Sequence, residues 1–346
     1  MYSIYILYGL IIILTISLII QIKGKITIMP TVLLSILIIY FLLNPKLCID
    51  ASLKGAELFV QAVLPTVLPF MVLCNLLIAY GGISVYSKLF GRFLCTPFKL
   101  SKNCSFPIIA SIICGNPIGA KYSSELYEKG HVQFDEYVRL ISIASNTGPL
   151  FLIGSVGSVM LQNKTYGYIL ILGNYISMIL IAFITRTKTI SSYKKNDSKI
   201  NITANFGTIF KNSLENAIIS TLNISGYIII FSVIISIVSN SYFFNLSLNS
   251  IASLFGVPYE IMKGTVLGMI EITNGCKIIS SSSLSINMKL CIISFLTSFC
   301  GFSVLAQISS FCSQHGVKLK KYFMYKLLQG SFATIITYVF LTISYF

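Results

Sequence analysis

The stretch Cys114-Gly115-Asn116-Pro117-Ile118-Gly119-Ala120-Lys121 decides the fold once it is set beside Glu271-Ile272-Thr273-Asn274-Gly275-Cys276-Lys277. Each ends a short apolar run that helix breakers interrupt, and each is followed at once by lysine. The chain around them is almost all hydrophobic. Of its 346 residues 55% are hydrophobic and 10% charged, and its mean hydropathy is +0.85, whereas a soluble domain carries about 25% charged residues. Irregular backbone inside a membrane is tolerated only where protein or a water-filled cavity satisfies its polar groups. Two such breaks at corresponding places in two halves mark a secondary transporter with its site at the repeat interface. The sequence therefore predicts an all-α polytopic integral membrane protein with inverted repeats and two re-entrant or broken-helix hairpins.

Full-length apolar segments run over Ile4–Ile22, Ile26–Leu43, Leu64–Tyr80, Tyr166–Thr185, Ile224–Asn240, Leu290–Cys312 and Phe323–Phe346. A span needs about 20 residues. The shorter segments Phe106–Gly119, Pro149–Leu161, Leu246–Val257 and Val266–Gly275 are therefore candidates for re-entrant hairpins. The first segment lacks the basic start and small-residue cleavage site of a signal peptide, and reads as a span. A polar, basic linker separates two halves. The expected division is N-terminal transmembrane helices over 1–50, a first repeat over 51–185, the linker over 186–205, a second repeat over 206–315 and a C-terminal transmembrane helix over 316–346.

The net charge of +15 does not indicate nucleic acid, because the basic residues sit in short loops between apolar segments, as the positive-inside bias requires. The clusters Lys23/Lys25, Lys88/Arg92/Lys99/Lys102, Arg186–Lys199 and Lys318/Lys320/Lys321 all fall on one side, which places them in the cytoplasm. Nine cysteines and two histidines, with no C-x-x-C pair, argue against structural zinc and a disulfide framework. No nucleophile–base pair and no phosphate loop stand out. Neither an enzyme nor a metal or cofactor is expected.

The halves resemble each other. Leu53-Lys54-Gly55-Ala56-Glu57 leads into a span, as Leu214-Glu215-Asn216-Ala217-Ile218 does. Each broken run follows, and then a Gly-interrupted segment: Asn146-Thr147-Gly148-Pro149-Leu150 in one half, Phe299-Cys300-Gly301-Phe302-Ser303 in the other. Between the first pair, Ala120–Lys129 reads as a helix with Lys121/Glu125 and Glu125/Lys129 at i,i+4 and Gly130 as its stop.

Candidate binding residues cluster at the breaks. A carboxylate in an apolar segment is costly and normally faces a cavity or a partner, so Glu271 is either a ligand or coupling-ion site or the tie of a broken helix. Thr273, Asn274 and Gly275 add side chains and exposed backbone beside it. Asn116, Asn146 and Thr147 offer donors and acceptors next to Pro117, Gly119 and Gly148, and can cap broken helix ends or touch a ligand. Lys121 and Lys277 either snorkel to the interface or supply positive charge to an anion, with half-helix N-termini adding to that potential.

The set Gly115–Lys121, Leu126-Tyr127-Glu128-Lys129-Gly130, Asn146–Pro149 and Glu271–Gly275, in that order, resembles the YlbJ-type sporulation integral membrane proteins, which go with proteins carrying the nucleoside-recognition gate domain. The likeness covers roughly Leu53 to Cys312. An aromatic residue is more usual where this chain has Asn116. The resemblance implies a mother-cell protein of the outer forespore membrane that moves dipicolinic acid, a small anion, toward the forespore. It leaves a coupling cation, other sporulation membrane proteins and a second copy of the chain open as partners beside the lipid bilayer. Two other readings stand against it. One is a nucleoside carrier, expected to have a neutral, amide- and aromatic-lined cavity in place of lysines. The other is a non-transporting scaffold for spore cortex assembly, expected to have a sealed core.

Overall fold

The computed structural model describes residues 28–187 and 205–343. The expected first span Ile4–Ile22, the Lys23/Lys25 cluster and most of the basic linker lie outside the described residues. The described residues divide into two compact units that part between Ala51 and Ser52. In the first, α1 (Ile28–Leu43) is apolar but for Thr31 and Ser35, and α2 (Pro45–Leu58) begins.

The second unit is helical, with no strand among its described residues. A π-helical turn, Phe59–Val63, leads into α3 (Leu64–Ala79), which carries Pro69 inside it. After a bend of 89°, α4 (Gly82–Leu89) and short turns reach the first hairpin, α5 (Ser105–Cys114) and α6 (Ile118–Glu128). Next come α7 (Phe134–Ile143), a non-helical stretch at Ser145–Gly148, the π-helical segment Leu150–Met160, and α8 (Lys164–Ile184). The second half opens with α9 (Phe206–Asn240) and α10 (Tyr242–Leu254). Its hairpin is α11 (Tyr259–Ile270) with α12 (Ile272–Ser281), followed by α13 (Ile286–Phe299), α14 (Gly301–Cys312) and α15 (Leu319–Ile343). Among the described residues, α8, α9, the Ile286–His315 stretch and α15 are long and apolar enough to cross a membrane.

The order hairpin, broken helix, full span thus occurs twice. A hairpin returns to the side it entered, whereas a broken helix and a full span each cross once. The first copy therefore begins and ends on one face. The single crossing of α9 then delivers the second hairpin to the opposite face, which inverts the second copy relative to the first. Contacts agree with this count. The end of α6 meets the loop after α14 through His315 Nε2 and Glu128 Oε1, 3.1 Å apart. Arg139 Nη1, on the middle turn of α7, reaches back to donate to Thr187 Oγ1 just past α8 at 3.0 Å. Both pairs join ends that the count places on one face.

Two of the four short segments are not hairpins. Pro149–Leu161 continues α7 across the gap as the second half of a broken helix, because Thr147, Gly148 and Pro149 interrupt one membrane crossing and do not reverse it. Leu246–Val257 falls largely in α10, whose Tyr242, Phe243 and Leu254 are strongly exposed while Leu248 and Ala252 are buried. One face packs inward and the other is apolar, which suits a helix at the membrane interface.

Each half lends a helix to the other. The second hairpin arm α6 packs on α14, the second half of the other copy's broken helix, and α12 packs on the Leu150–Met160 segment. The full spans α8 and α15 lie against each other and against α13. Small residues permit this approach: a Cβ at Gly173 would lie 2.6 Å from Thr337 Oγ1, and Thr337 Oγ1 donates to Ser294 Oγ at 2.8 Å.

Candidate functional site: a cleft between two hairpin tips

Each hairpin tip docks on the break of its own half, and glycine makes the contact possible. Gly115 has φ 83°, and a Cβ there would collide with the backbone of Gly148. Gly301 has φ 76°, and a Cβ there would lie 3.1 to 3.3 Å from the carbonyl oxygens of Met269, Gly268 and Ile270. Within the second hairpin the arms cross where Gly275 meets Gly268. Gly119 is pressed against the carbonyl of Ala144. Gly115, Gly119, Gly268, Gly275 and Gly301 build the tips and are not part of the cleft lining. Pro117 is likewise buried under the first tip.

A cleft with a cavity volume of about 180 Å³ opens where the tips and breaks meet. Asn116, Thr147, Gly148, Glu271 and Thr273 line it, so the structure brings these five expected residues together. Ser155, Ser303 and Gln307 complete the polar lining, and the apolar wall includes Val67, Phe151, Ile224 and Ile228. Ser303 and Gln307 are not legible in the sequence as site residues. They stand four apart on α14, one face of a helix, and Gln307 Nε2 lies 3.5 Å from Ser303 Oγ. A polar i,i+4 pair just past Gly301 is the signal that marks them.

Four half-helices begin at this cleft. Asn116 sits at the turn into α6, Leu150 and Phe151 open the π-helical segment, Ile272 and Thr273 open α12, and Ser303 and Val304 fall in the first turn of α14. First-turn N–H groups lack intrahelical partners and carry the positive end of the helix dipole; at α12 the Glu271 carboxylate already takes them.

Glu271 is the N-cap of α12. Its Oε1 accepts from Thr273 N at 2.9 Å, and its Oε2 accepts from Asn274 N at 3.0 Å and Asn274 Nδ2 at 2.9 Å. The carboxylate therefore ties the second tip while lying on the cleft wall. Asn274 serves that cap and is not part of the lining. Asn116 Nδ2 donates to Cys300 Sγ at 3.0 Å, and Asn116 Oδ1 is buried with no hydrogen-bond partner. A buried acceptor without a partner is costly, and a ligand donor in the cleft would satisfy this one. Thr147 Oγ1 donates to the carbonyl of Thr297 at 2.6 Å, fastening the first break to the second broken helix.

Asn146 lies behind the cleft. Its Nδ2 donates to Ile143 O at 2.7 Å and to Ser111 Oγ at 3.2 Å, and its Oδ1 accepts from Gln329 Nε2 at 3.0 Å. Its role here is to hold the end of α7, not to touch a ligand.

The two lysines are also elsewhere. Lys277 is exposed on α12. Lys121 is 8% exposed, pairs with Glu125 Oε1 at 3.6 Å and lies over the Tyr122 ring at 5.2 Å. Neither reaches the cleft lining, because each follows its tip by one or more helical turns and so projects along its own hairpin arm. No cation lines the cleft among the described residues.

The fold and site define an all-α membrane protein whose paired hairpins and broken helices enclose a polar cleft. No family model matches the chain. The chain is similar to the sporulation integral membrane protein YlbJ of Bacillus subtilis (strain 168), 27% identical over 314 residues that cover 84% of this chain and 77% of that protein. This bears out the resemblance read from the motifs at the two breaks. Among solved structures, CNTnw in an inward-facing substrate-bound state aligns with TM-score 0.49 at 15% identity, over 81% of this chain and 74% of that one. A doubly substituted CNTnw in an outward-facing state aligns with TM-score 0.45 at 14% identity, over 82% and 76%.

Proposed function

We propose that this protein is a carrier, not an enzyme, and that it moves a small polar metabolite through the membrane, with dipicolinate as the cargo in a sporulating cell. The observation that carries the reading is the meeting at one cleft of half-helix starts from both repeats, those of α6, the Leu150–Met160 segment and α14. Helix starts suit carboxylates, and the Ser155 and Ser303 hydroxyls and the Gln307 amide on the lining can donate to the acceptors of a planar dicarboxylate ring. The likeness to a sporulation integral membrane protein supports the outer forespore membrane as its place.

A second reading, a nucleoside carrier, has two observations in its favour: the cleft lining carries no lysine or arginine among the described residues, and the unpartnered Asn116 Oδ1 is an acceptor that a ligand N–H or O–H would satisfy. The purified protein in liposomes separates the two. Labelled dipicolinate exchanging against internal dipicolinate, with uridine neither exchanging nor competing, is the expected result. Exchange of uridine alone would establish the second reading. If neither solute exchanges while the protein is inserted and monodisperse, a scaffold role in cortex assembly takes its place.

A further inference from the structure

Lys326 is the most deeply buried charged side chain of the described residues, 1% exposed. It lies seven residues into α15, roughly 10 Å along the axis from its first residue. Its place follows from the helix face it occupies: Tyr322, Lys326, Gln329, Ala333, Thr337 and Leu341 form the buried stripe of α15, the spacing of three and four that points one face inward. Lys326 Nζ donates to the carbonyl of Ser145 and to Gln329 Oε1, the latter at 2.7 Å. Gln329 Nε2 passes the link to Asn146 Oδ1 at 3.0 Å. The lysine thus sits at the carbonyl end of the half-helix α7, where a cation is favoured. Two residues further along the chain, Thr147 and Gly148 line the cleft.

No carboxylate pairs with it among the described residues. Glu136 accepts from Ser101 N and Cys104 Sγ, and Glu271 is turned to its own cap. A charge at membrane depth is costly, usually paired and usually functional. Here it is solvated by backbone and amide oxygens and left without a counter-ion, immediately behind a cleft whose lining holds the Glu271 carboxylate, tied to the N–H groups of its own helix, and no cation.

We propose that Lys326 supplies the positive potential by which the cleft selects an anionic cargo, acting through the Ser145–Gly148 break and not by contact. The proposal rests on the carrier reading and deepens it: the cargo is an anion. A unit charge acting over ~10 Å at an effective dielectric constant of ~20 changes the binding constant of a monoanion by roughly ten- to twenty-fold, and that of a dianion by more.

Two measurements on purified full-length protein test it. The first reads the potential without any cargo. Cys114 lines the cleft, and its reaction rates with sulfonate-bearing and ammonium-bearing methanethiosulfonates give a ratio that reports local charge. Lys326→Met is expected to shift that ratio at least about ten-fold toward the cationic reagent, and Lys326→Arg to restore it. Lys326→Gln, which keeps a donor for Ser145, serves if the methionine variant does not fold. An unchanged ratio in a folded neutral variant overturns the proposal. The second compares binding of dipicolinate with that of pyridine-2,6-dicarboxamide, the same ring without the charges. Dipicolinate affinity is expected to fall about ten-fold or more in the neutral variant, with the diamide nearly unmoved. Equal losses for both would show a merely structural lysine. If the ratio shifts but the wild type does not bind dipicolinate, the proposed cargo fails while the role of Lys326 in the cleft potential stands.

Discussion

Asn116 Nδ2 and Cys300 Sγ lie 3.0 Å apart, joining the tip of the first hairpin to the break in the second half's helix. The contact crosses between the repeats at the edge of the cleft. Asn116→Leu removes the donor and fills the site of the unpartnered Oδ1. Solute exchange should fall by an order of magnitude or more while the protein stays monodisperse in detergent, since a polar site left without its amide loses discrimination steeply. Unchanged exchange would remove Asn116 from the site.

The glycines at the tips are predicted to be intolerant. Gly115→Ala adds a Cβ against Gly148 at φ 83° and ψ −163°, combining strain of about 1–3 kcal/mol in a region essentially reserved for glycine with overpacking of about 1–3 kcal/mol. A control lies in the middle of α9, where a Cβ added at Gly226 would meet nothing within 4 Å. Gly226→Ala should stabilise by about 0.5–1 kcal/mol. Thermal unfolding in detergent reads both.

Glu271 is predicted to matter through its cap. Glu271→Gln keeps one carbonyl oxygen but turns an amide toward donors, costing about 1–2 kcal/mol. Glu271→Asp, a favoured N-cap residue, should recover more of the unfolding temperature than glutamine does. If glutamine is as stable as the wild type, the carboxylate does not tie the tip and is left for a coupling cation.

Lys277→Met is expected to be silent: exposed and away from the cleft, it should change stability by less than about 0.5 kcal/mol and leave exchange unaltered. A cargo-binding defect in this variant would reinstate the lysine as a ligand group.

The inverted arrangement predicts opposite exposure of the hairpin ends. Gln133→Cys, after the first hairpin, and Ser283→Cys, after the second, are both exposed positions. With the protein produced in the plasma membrane of non-sporulating cells, an impermeant thiol reagent applied outside should label Ser283→Cys and leave Gln133→Cys untouched until the membrane is opened. Labelling of both from one face would refute the inversion.

Much of this arrangement was legible because a membrane chain hides little of its grammar. Gly, Pro and Asn inside apolar runs betray breaks, and Asn116, Thr147, Gly148, Glu271 and Thr273 follow from them. The lysines misled, since adjacency in sequence to a tip does not place a side chain in the cleft when a helix turns in between. Pro149–Leu161 misled for a related reason: a short apolar run can be half of a crossing as readily as half of a hairpin. Lys326 and Gln329 escaped notice because they sit inside a segment whose average is apolar, and averaging removes the one charge that counts. Cys300, at φ 72°, could not be foreseen, because a left-handed cysteine leaves no compositional trace beyond the glycine after it.

The exchange of helices between the halves has a consequence for biogenesis. When the first half has been inserted, α6 still lacks α14, and the Leu150–Met160 segment still lacks α12. Polar tips and small-residue faces must therefore wait in the bilayer until the ribosome has passed Cys312. The first half alone should be a substrate for membrane quality control, and separately synthesised halves should survive only when made together.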